Sequence, residues 1–321
     1  VAAEFSAEEI LAVTGGRLAQ GLMPDSVGRI CTDTRLSLDG AWFLALNGKN
    51  FDGHDFLGDA YSGGAIGAIV NERQGYAIAG SSFPLIVVPD TLAAYHKLAR
   101  NWRRRLNPKV VAVTASRGET SFATELCKLI LGQAMVVCSE TSEQSSRGSV
   151  QSVLHAILDM DDDTQCLVVQ IAPDRADETQ PLAEALMPSL VILRVEGFGH
   201  LRLTETEQKI ADAECSLITN LHQTGACVVG ARSPSLRLRT QKEFPQKSSY
   251  FFEARQVQVV DHGQTFGIHV WNRELEFVVP KVDRFDLCDA WCAIVACQTL
   301  GVSTEQIASA LQTLSRGILR P

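Results

Sequence analysis

Apolar and polar positions alternate with a different period in successive parts of the chain. Ser6-Ala7-Glu8-Glu9 is a capping box, and the apolar spacing after it predicts a short helix that stops at Gly15-Gly16. "GRICTDTRLSLDGAWFLAL" reads as two strands joined through a loop. "FDGHDFLGDAYSGGAIGAIV" reads as a loop, a helix and an apolar strand, and "FPLIVVPD" as a further strand. Thr91 to about Arg105 has the spacing of an amphipathic helix, and Asn107-Pro108 marks a domain junction. The expected domains are 1–107 and 108–321.

Beyond the junction, the run ending at Thr114 and the runs "QCLVVQIA", "SLVILRV" and "ACVVGA" are continuously apolar and alternate with helical segments. Strands buried on both faces read this way, so the pattern predicts a mostly parallel α/β sheet flanked by helices. After about Ser248 the period becomes two. "FFEARQVQVV", "TFGIHVW" and "ELEFVVP" are separated by Asp261-His262-Gly263 and Asn272-Arg273, which predicts an antiparallel meander. Two helices close the chain, Phe285 to Leu300 and one capped by Ser303-Thr304-Glu305-Gln306. The fold class expected is therefore α/β: a small α/β domain, then a larger parallel-sheet domain carrying a β meander.

Composition narrows the function classes. The 321 residues suffice for two cores, and 45% apolar with 21% charged residues is ordinary for a globular chain. The formal charge of −8 argues against a nucleic-acid partner. No apolar run reaches the roughly 20 residues of a membrane span. Arg103-Arg104-Arg105 falls at a helix end, where it complements the dipole. There are nine cysteines and no Cys-x-x-Cys, so buried thiols in a reducing compartment are expected rather than a zinc site. "DMDDDT", Asp159 to Thr164, lacks the glycine and distal glutamate of a calcium loop and reads as a solvated turn.

"VAVTASRGETS", Val111 to Ser121, runs from a buried strand into a glycine-containing turn and then a helix, the setting of a phosphate loop. With "TDTR" (Thr32 to Arg35), "FLALNGKNFDGHDF" (Phe43 to Phe56), "EGFGHLRL", "KIADAE" and "DRFDLCDAWCAI", the chain resembles the Mur ligases of peptidoglycan synthesis, and among them the D-alanyl-D-alanine-adding branch. The resemblance covers nearly the whole chain. It implies three domains: one for the UDP end of the substrate, a central ATPase, and a C-terminal domain for the amino substrate. This chain ends about where the third would begin. It also implies ATP and Mg²⁺, with a substrate carboxylate phosphorylated and then attacked by an amine.

The motifs implied by the resemblance are poorly kept. At the positions of Gly-x-x-Gly-Lys-Thr/Ser stand Ala115, Gly118, Glu119 and Thr120. Lys should neutralise phosphate oxygens there; a carboxylate repels them, and each unit pair at ~4 Å is worth about 4 kcal/mol at an effective dielectric near 20. Arg117, two residues away on a tight turn, is a poor substitute cation. Gln170 stands where the family has a metal-binding Glu, and a neutral amide is a poor Mg²⁺ ligand. The following Gly and Asn correspond to Ala172 and Asp174. His200 matches the metal-site His, although a loop His is also an ordinary surface or packing residue. On the helix of the carbamylated Lys stand Asp212 and Glu214, with Lys209 a turn earlier. The peptide-contacting segment is replaced by "SSRGSV", Ser145 to Val150. Arg284 is kept at the adenine-side helix, but its neighbours are Phe285, Asp286 and Asp289.

These changes lead to the expectation of a catalytically inactive homologue, with no cofactor, kept as a structural module for protein partners in a larger assembly. Two alternatives stand beside it. The first is a UDP-sugar binding module using Thr32, Asp33, Thr34, Arg35, Asn47, Gly48, Asp52 and His54, residues that read equally as plain turn and cap positions. The second is a divergent or trimmed ligase using ATP and Mg²⁺. A start at Val1 and "VAAEFS" suit a processed protein of a plastid stroma, and bacterial cytoplasm suits the family equally.

Overall fold

The computed structural model describes residues 2–48, 52–72, 82–114, 121–132, 135–137, 148–171, 176–194, 207–230, 234–253, 257–263, 265–270, 276–280 and 287–318. The chain forms two compact units, Val1–Asn107 with Leu154–Asp163, and Pro108–Val153 with Thr164–Pro321.

In the first unit, α1 (Ala7–Thr14) starts where Ser6 accepts the Glu9 N–H and ends at Gly15, whose φ of 75° closes the helix in a left-handed turn. β1 (Arg17–Gln20), β2 (Ile30–Cys31), β3 (Trp42–Leu44), β4 (Gly67–Asn71) and β5 (Leu85–Val88) make one sheet in the order β1-β5-β4-β3-β2. β2 to β5 are parallel and β1 is antiparallel, with a register irregularity between Leu18 and Gln20. A 3₁₀ turn (Gly53–Phe56) leads into α2 (Leu57–Ser62). Asp90 caps α3 (Thr91–Arg105) by accepting the Ala93 N–H at 2.7 Å. The arginine run at its end does more than complement the dipole. Arg103 is buried and donates to the Leu106 carbonyl at 3.1 Å, and burial lowers its pKa. Arg105 pairs with Glu9 and lies over the Trp102 ring. Residues 154–163 belong to this unit: Leu158 accepts from Ala3, and Met160 from the Trp102 indole. Asp161 to Asp163 form the expected turn, with Asp161 accepting the Asp163 N–H.

The second unit is built on β6 (Lys109–Thr114), β7 (Met135–Val137), β8 (Cys166–Ile171), β9 (Leu190–Leu193), β10 (Ala226–Val229) and β11 (Ser248–Phe251). They form a six-stranded, all-parallel sheet in the order β11-β10-β9-β6-β8-β7. Four of its strands are buried along their whole length or all but the first residue, as continuous apolar runs require. The sequence reading differs at two strands. β7 is a three-residue apolar run too short to stand out, and Ser248–Phe251 joins the parallel sheet beside β10 instead of opening the meander. Its half-buried residues carry the mixed pattern of an edge strand, which period alone does not distinguish from a meander strand.

The helices are α4 (Phe122–Leu131), α5 (Gly148–Asp159), α6 (Ala176–Leu186), α7 (Glu207–Thr219), α8 (Pro234–Glu243), α9 (Leu287–Thr299) and α10 (Thr304–Ile318). The meander is β12 (Val257–Asp261), β13 (Thr265–Val270) and β14 (Phe277–Pro280), fully antiparallel. Val111, Val113, Val168, Ile192 and Val228 face one core with α4, α9 and α10 and with Ile268 and Phe277 of the meander. α9 is buried from Cys288 through Cys297, so it is apolar all round rather than amphipathic. α10 opens with a full capping box: Ser303 Oγ accepts the Gln306 N–H at 3.2 Å, and Gln306 Oε1 accepts the Ser303 N–H at 3.0 Å. No helix among the described residues is long and apolar enough to cross a membrane.

Candidate functional site

β6 is the first strand of the parallel sheet in sequence yet lies inside it. The chain builds β7 and β8 on one side of it and β9 to β11 on the other. The C-terminal end of β6 is therefore the topological switch point, where open α/β sheets bind ligands. The residues brought together there are Thr114, Ser121, Thr124, Gln170, Arg194, Glu214 and Asp289.

On the α4 face, Gln170 sits next to last in β8, paired with Val113, and is only 5% exposed. Its amide oxygen accepts the Ser121 N–H at 2.8 Å and the Thr124 hydroxyl at 3.2 Å. Ser121 is the N-cap of α4, but its own side chain makes no capping bond. A side chain from the neighbouring strand thus closes the helix N-terminus, the positive end that attracts anions.

On the opposite face, Thr114 ends β6. Its hydroxyl accepts the Arg194 N–H at 2.8 Å and donates to Glu214 Oε1 at 2.8 Å. Glu214 is 1% exposed, and its second oxygen is buried with no hydrogen-bond partner among the described residues. Burial pushes its pKa up to about 7, and the Thr114 hydrogen bond opposes that shift. The Arg194 guanidinium pairs with Asp289 in the first turn of α9, both side chains buried. α9 approaches β10 closely at Gly230, whose carbonyl accepts from the Cys288 thiol at 2.8 Å; a Cβ there would meet both Cys288 and Cys292 sulfurs. Asp212, two residues before Glu214, points elsewhere and pairs with Arg239 of α8 at 2.5 Å. Arg194 carries no motif; an arginine closing an apolar strand at the sheet's C-terminal edge is its only sequence signal.

In the first unit the residues singled out near "TDTR" and "FDGHDF" gather at the C-terminal ends of the parallel strands β2, β3 and β4. Thr32, Asp33 and Thr34 are half-buried, and Arg35 is 87% exposed along its side chain. Arg35 folds back on Asp33, donating its backbone N–H (3.0 Å), Nε (2.9 Å) and Nη2 (2.6 Å) to that carboxylate. Asn47 bridges to Asp52, and Gly48 is half-buried. Asp52 caps the 3₁₀ turn and contacts His54 Nδ1 at 2.5 Å, while the Asn71 N–H donates to His54 Nε2 at 3.1 Å. Because Nε2 accepts, Nδ1 carries the proton that Asp52 receives.

Ala115, Arg117, Gly118, Glu119, Thr120, Ala172, Asp174, His200, Arg284, Phe285 and Asp286 lie outside the described residues, as do Ser145 to Arg147 and the side chain of Lys209. Among the described residues no three His, Cys, Asp or Glu side chains are grouped to hold a metal ion, and the eight described cysteines are buried and free.

No protein-family model matches the chain. UDP-N-acetylmuramoyl-tripeptide–D-alanyl-D-alanine ligase of a Synechocystis strain is 28% identical over 285 residues, covering 89% of this chain and 61% of the relative. The enzyme of that name from Escherichia coli is 26% identical over 301 residues, covering 89% and 63%. Among solved structures, MurF from Acinetobacter baumannii superposes with a TM-score of 0.81 at 22% identity, over 97% of this chain and 68% of that one. The chain is thus similar to Mur ligases in sequence and in fold. MurF ligase from Thermotoga maritima, solved in complex with ADP, superposes with a TM-score of 0.69 at 23% identity, over 88% and 66%. The chain spans about three-fifths of the length of the curated relatives it matches.

Proposed function

We propose that this homologue has given up ATP-dependent ligation and serves as a structural, protein-binding module in a larger assembly. The observation that carries the reading is Gln170. The resemblance puts a Mg²⁺-binding carboxylate at that position. Here the side chain is a neutral amide already committed to the Ser121 N–H and the Thr124 hydroxyl. A group that caps its own neighbouring helix leaves neither charge nor lone pair to spare for a metal. Glu214 supports the same reading. It occupies the helix of the family's carbamylated Lys, but its carboxyl is held by Thr114, and it supplies no amine. The residues present do not fit an ATP–Mg²⁺ site, so no ligation step is derived for them.

The core that would serve a scaffold is well kept: capped helices, a fully parallel sheet and a buried α9. Eight buried thiols suit a reducing compartment, either bacterial cytoplasm or plastid stroma.

Isothermal titration of the chain with ATP–Mg²⁺ tests the reading. Absence of binding is expected, and micromolar binding would overturn it.

A second reading, recognition of a UDP-sugar by the first unit, has one observation in its favour. The "TDTR" turn and Asn47, Asp52 and His54 share one edge of a parallel sheet, with Arg35 exposed. Against it, Asp33 occupies Arg35, and Asp52 and His54 hold each other and Asn71. Titration with a UDP-sugar separates the two, because only this reading expects heat.

A further inference from the structure

Edge strands expose unpaired backbone groups, and most edges among the described residues are blunted. β2 and β7 are two and three residues long. β1 carries a register irregularity and Arg17. β11 lies beside α8, and β14 ends in Pro280 and packs on α10. β12 differs. It is five residues long, contains no Pro or Lys, pairs with β13 without a register shift, and is exposed at four of five positions. Val259 and Val260 are each 42% exposed, beside one another at its centre.

The hydrogen-bond phase of this edge follows from the hairpin. The His262 N–H donates to the Thr265 carbonyl at 2.9 Å, which makes 262 and 265 a hydrogen-bonded pair. Bonded pairs alternate along an antiparallel ladder, so 260 with 267 and 258 with 269 are the next two. The N–H and C=O groups of Val257 and Val259 therefore point away from β13, and Val259, unlike the buried Val257, is exposed. Val259 lies at the middle of the strand. An antiparallel strand of the same sequence, placed about a two-fold axis through Val259, has its own outward groups in the matching phase.

We propose that β12 is a self-pairing edge, on which a second copy of this chain adds its β12 antiparallel about Val259 to make a continuous six-stranded sheet. In that register the two Val259 residues form a bonded pair across the axis, and Val260 of each copy lies opposite Gln258 of the other. Asp261 of each copy comes opposite Val257, so the acidic side chains are kept apart at the two ends instead of facing one another. The surface is isologous, as a closed dimer requires.

Sedimentation equilibrium of the whole chain across a concentration series tests this. The expected result is a reversible dimer with a dissociation constant on the order of 100 µM, the weak range for a contact this small. Val259→Pro removes an outward N–H that the chain's own ladder does not use, so circular dichroism should be unchanged while dimerisation weakens by about tenfold or more. Val259→Cys supplies a second readout. Mild oxidation with oxidised glutathione should join two chains through Cβ atoms facing across the axis, each pair of thiols losing two electrons and two protons to the oxidant. Gln258→Cys, which faces residue 260 of the other copy, should cross-link far less. A monomer at every concentration, a dimer insensitive to Val259→Pro, or equal cross-linking by the two cysteine variants would overturn the proposal. None of these outcomes bears on ATP binding, so this inference and the proposed function fail separately.

Discussion

The amide oxygen of Gln170 lies 2.8 Å from the backbone nitrogen of Ser121, joining the end of β8 to the first residue before α4. The bond settles an orphan donor at a helix N-terminus with a side chain from a different element. Gln170→Ala removes it and leaves a buried N–H and the Thr124 hydroxyl without that acceptor. The expected loss is about 2 kcal/mol, within the usual range for an uncapped helix and an unmade buried hydrogen bond. Urea unfolding of the two proteins measures it. A midpoint unchanged by the substitution would show that Gln170 does not hold α4.

Glu214 makes stability depend on pH in an unusual direction. Its pKa rises from an ordinary 4.5 to about 7 in the folded chain. The folded state therefore holds a proton that the unfolded state releases between those values. This contribution is complete at the acid end, below 4.5, and is lost as pH rises through 7. The upper bound is about 3 kcal/mol, from 1.36 kcal/mol per unit. Glu214→Gln keeps the shape and removes the titration. Denaturation at pH 5 and pH 8 should show the wild-type chain losing more stability than the variant, and parallel curves would contradict the buried carboxyl.

Arg194 and Asp289 are a buried ion pair between the end of β9 and the start of α9. Removing one side chain takes away the buried counter-charge of the other. Arg194→Met and Asp289→Leu should each cost about 3–5 kcal/mol, while the double substitution should cost much less, because neither buried charge remains. Thermal melts of the three variants form a double-mutant cycle. Additive losses would mean the pair does not act as a unit.

How much of this could be read along the chain depends on how local the cause is. Ser6 and Ser303 act within one helical turn, so their caps stand in the sequence, as does the span Thr91–Arg105. The apolar runs of β6, β8, β9 and β10 were legible because a strand buried on both faces has no polar side to show. β11 was not, because its half-burial depends on which strand it joins. Gln170 drew notice because the resemblance implies a carboxylate there, but its partners were not legible: Ser121 is 49 positions away and meets it only through the β6–β8 register. Arg194 and Asp289 are farther apart still, and neither residue alone signals the other.

Glu119 supplies the sharpest test of function. By the resemblance it stands where the family pattern has its phosphate-binding Lys, and restoring that cation is the most favourable single repair on that reading. If the loop were the only defect, Glu119→Lys would bring back ATP binding, since exchanging repulsion for attraction is worth several kcal/mol, about 4 per unit pair at an effective dielectric near 20. Two further positions resist the repair. Gln170 offers an amide already bonded to Ser121, and the α7 helix offers Asp212, paired with Arg239, and Glu214, bonded to Thr114. Glu119→Lys alone should therefore give no detectable ATP turnover, measured as released phosphate in the presence of Mg²⁺. Turnover from that one substitution would mean that the rest of the site is intact, and that Gln170 leaves its helix cap when nucleotide arrives.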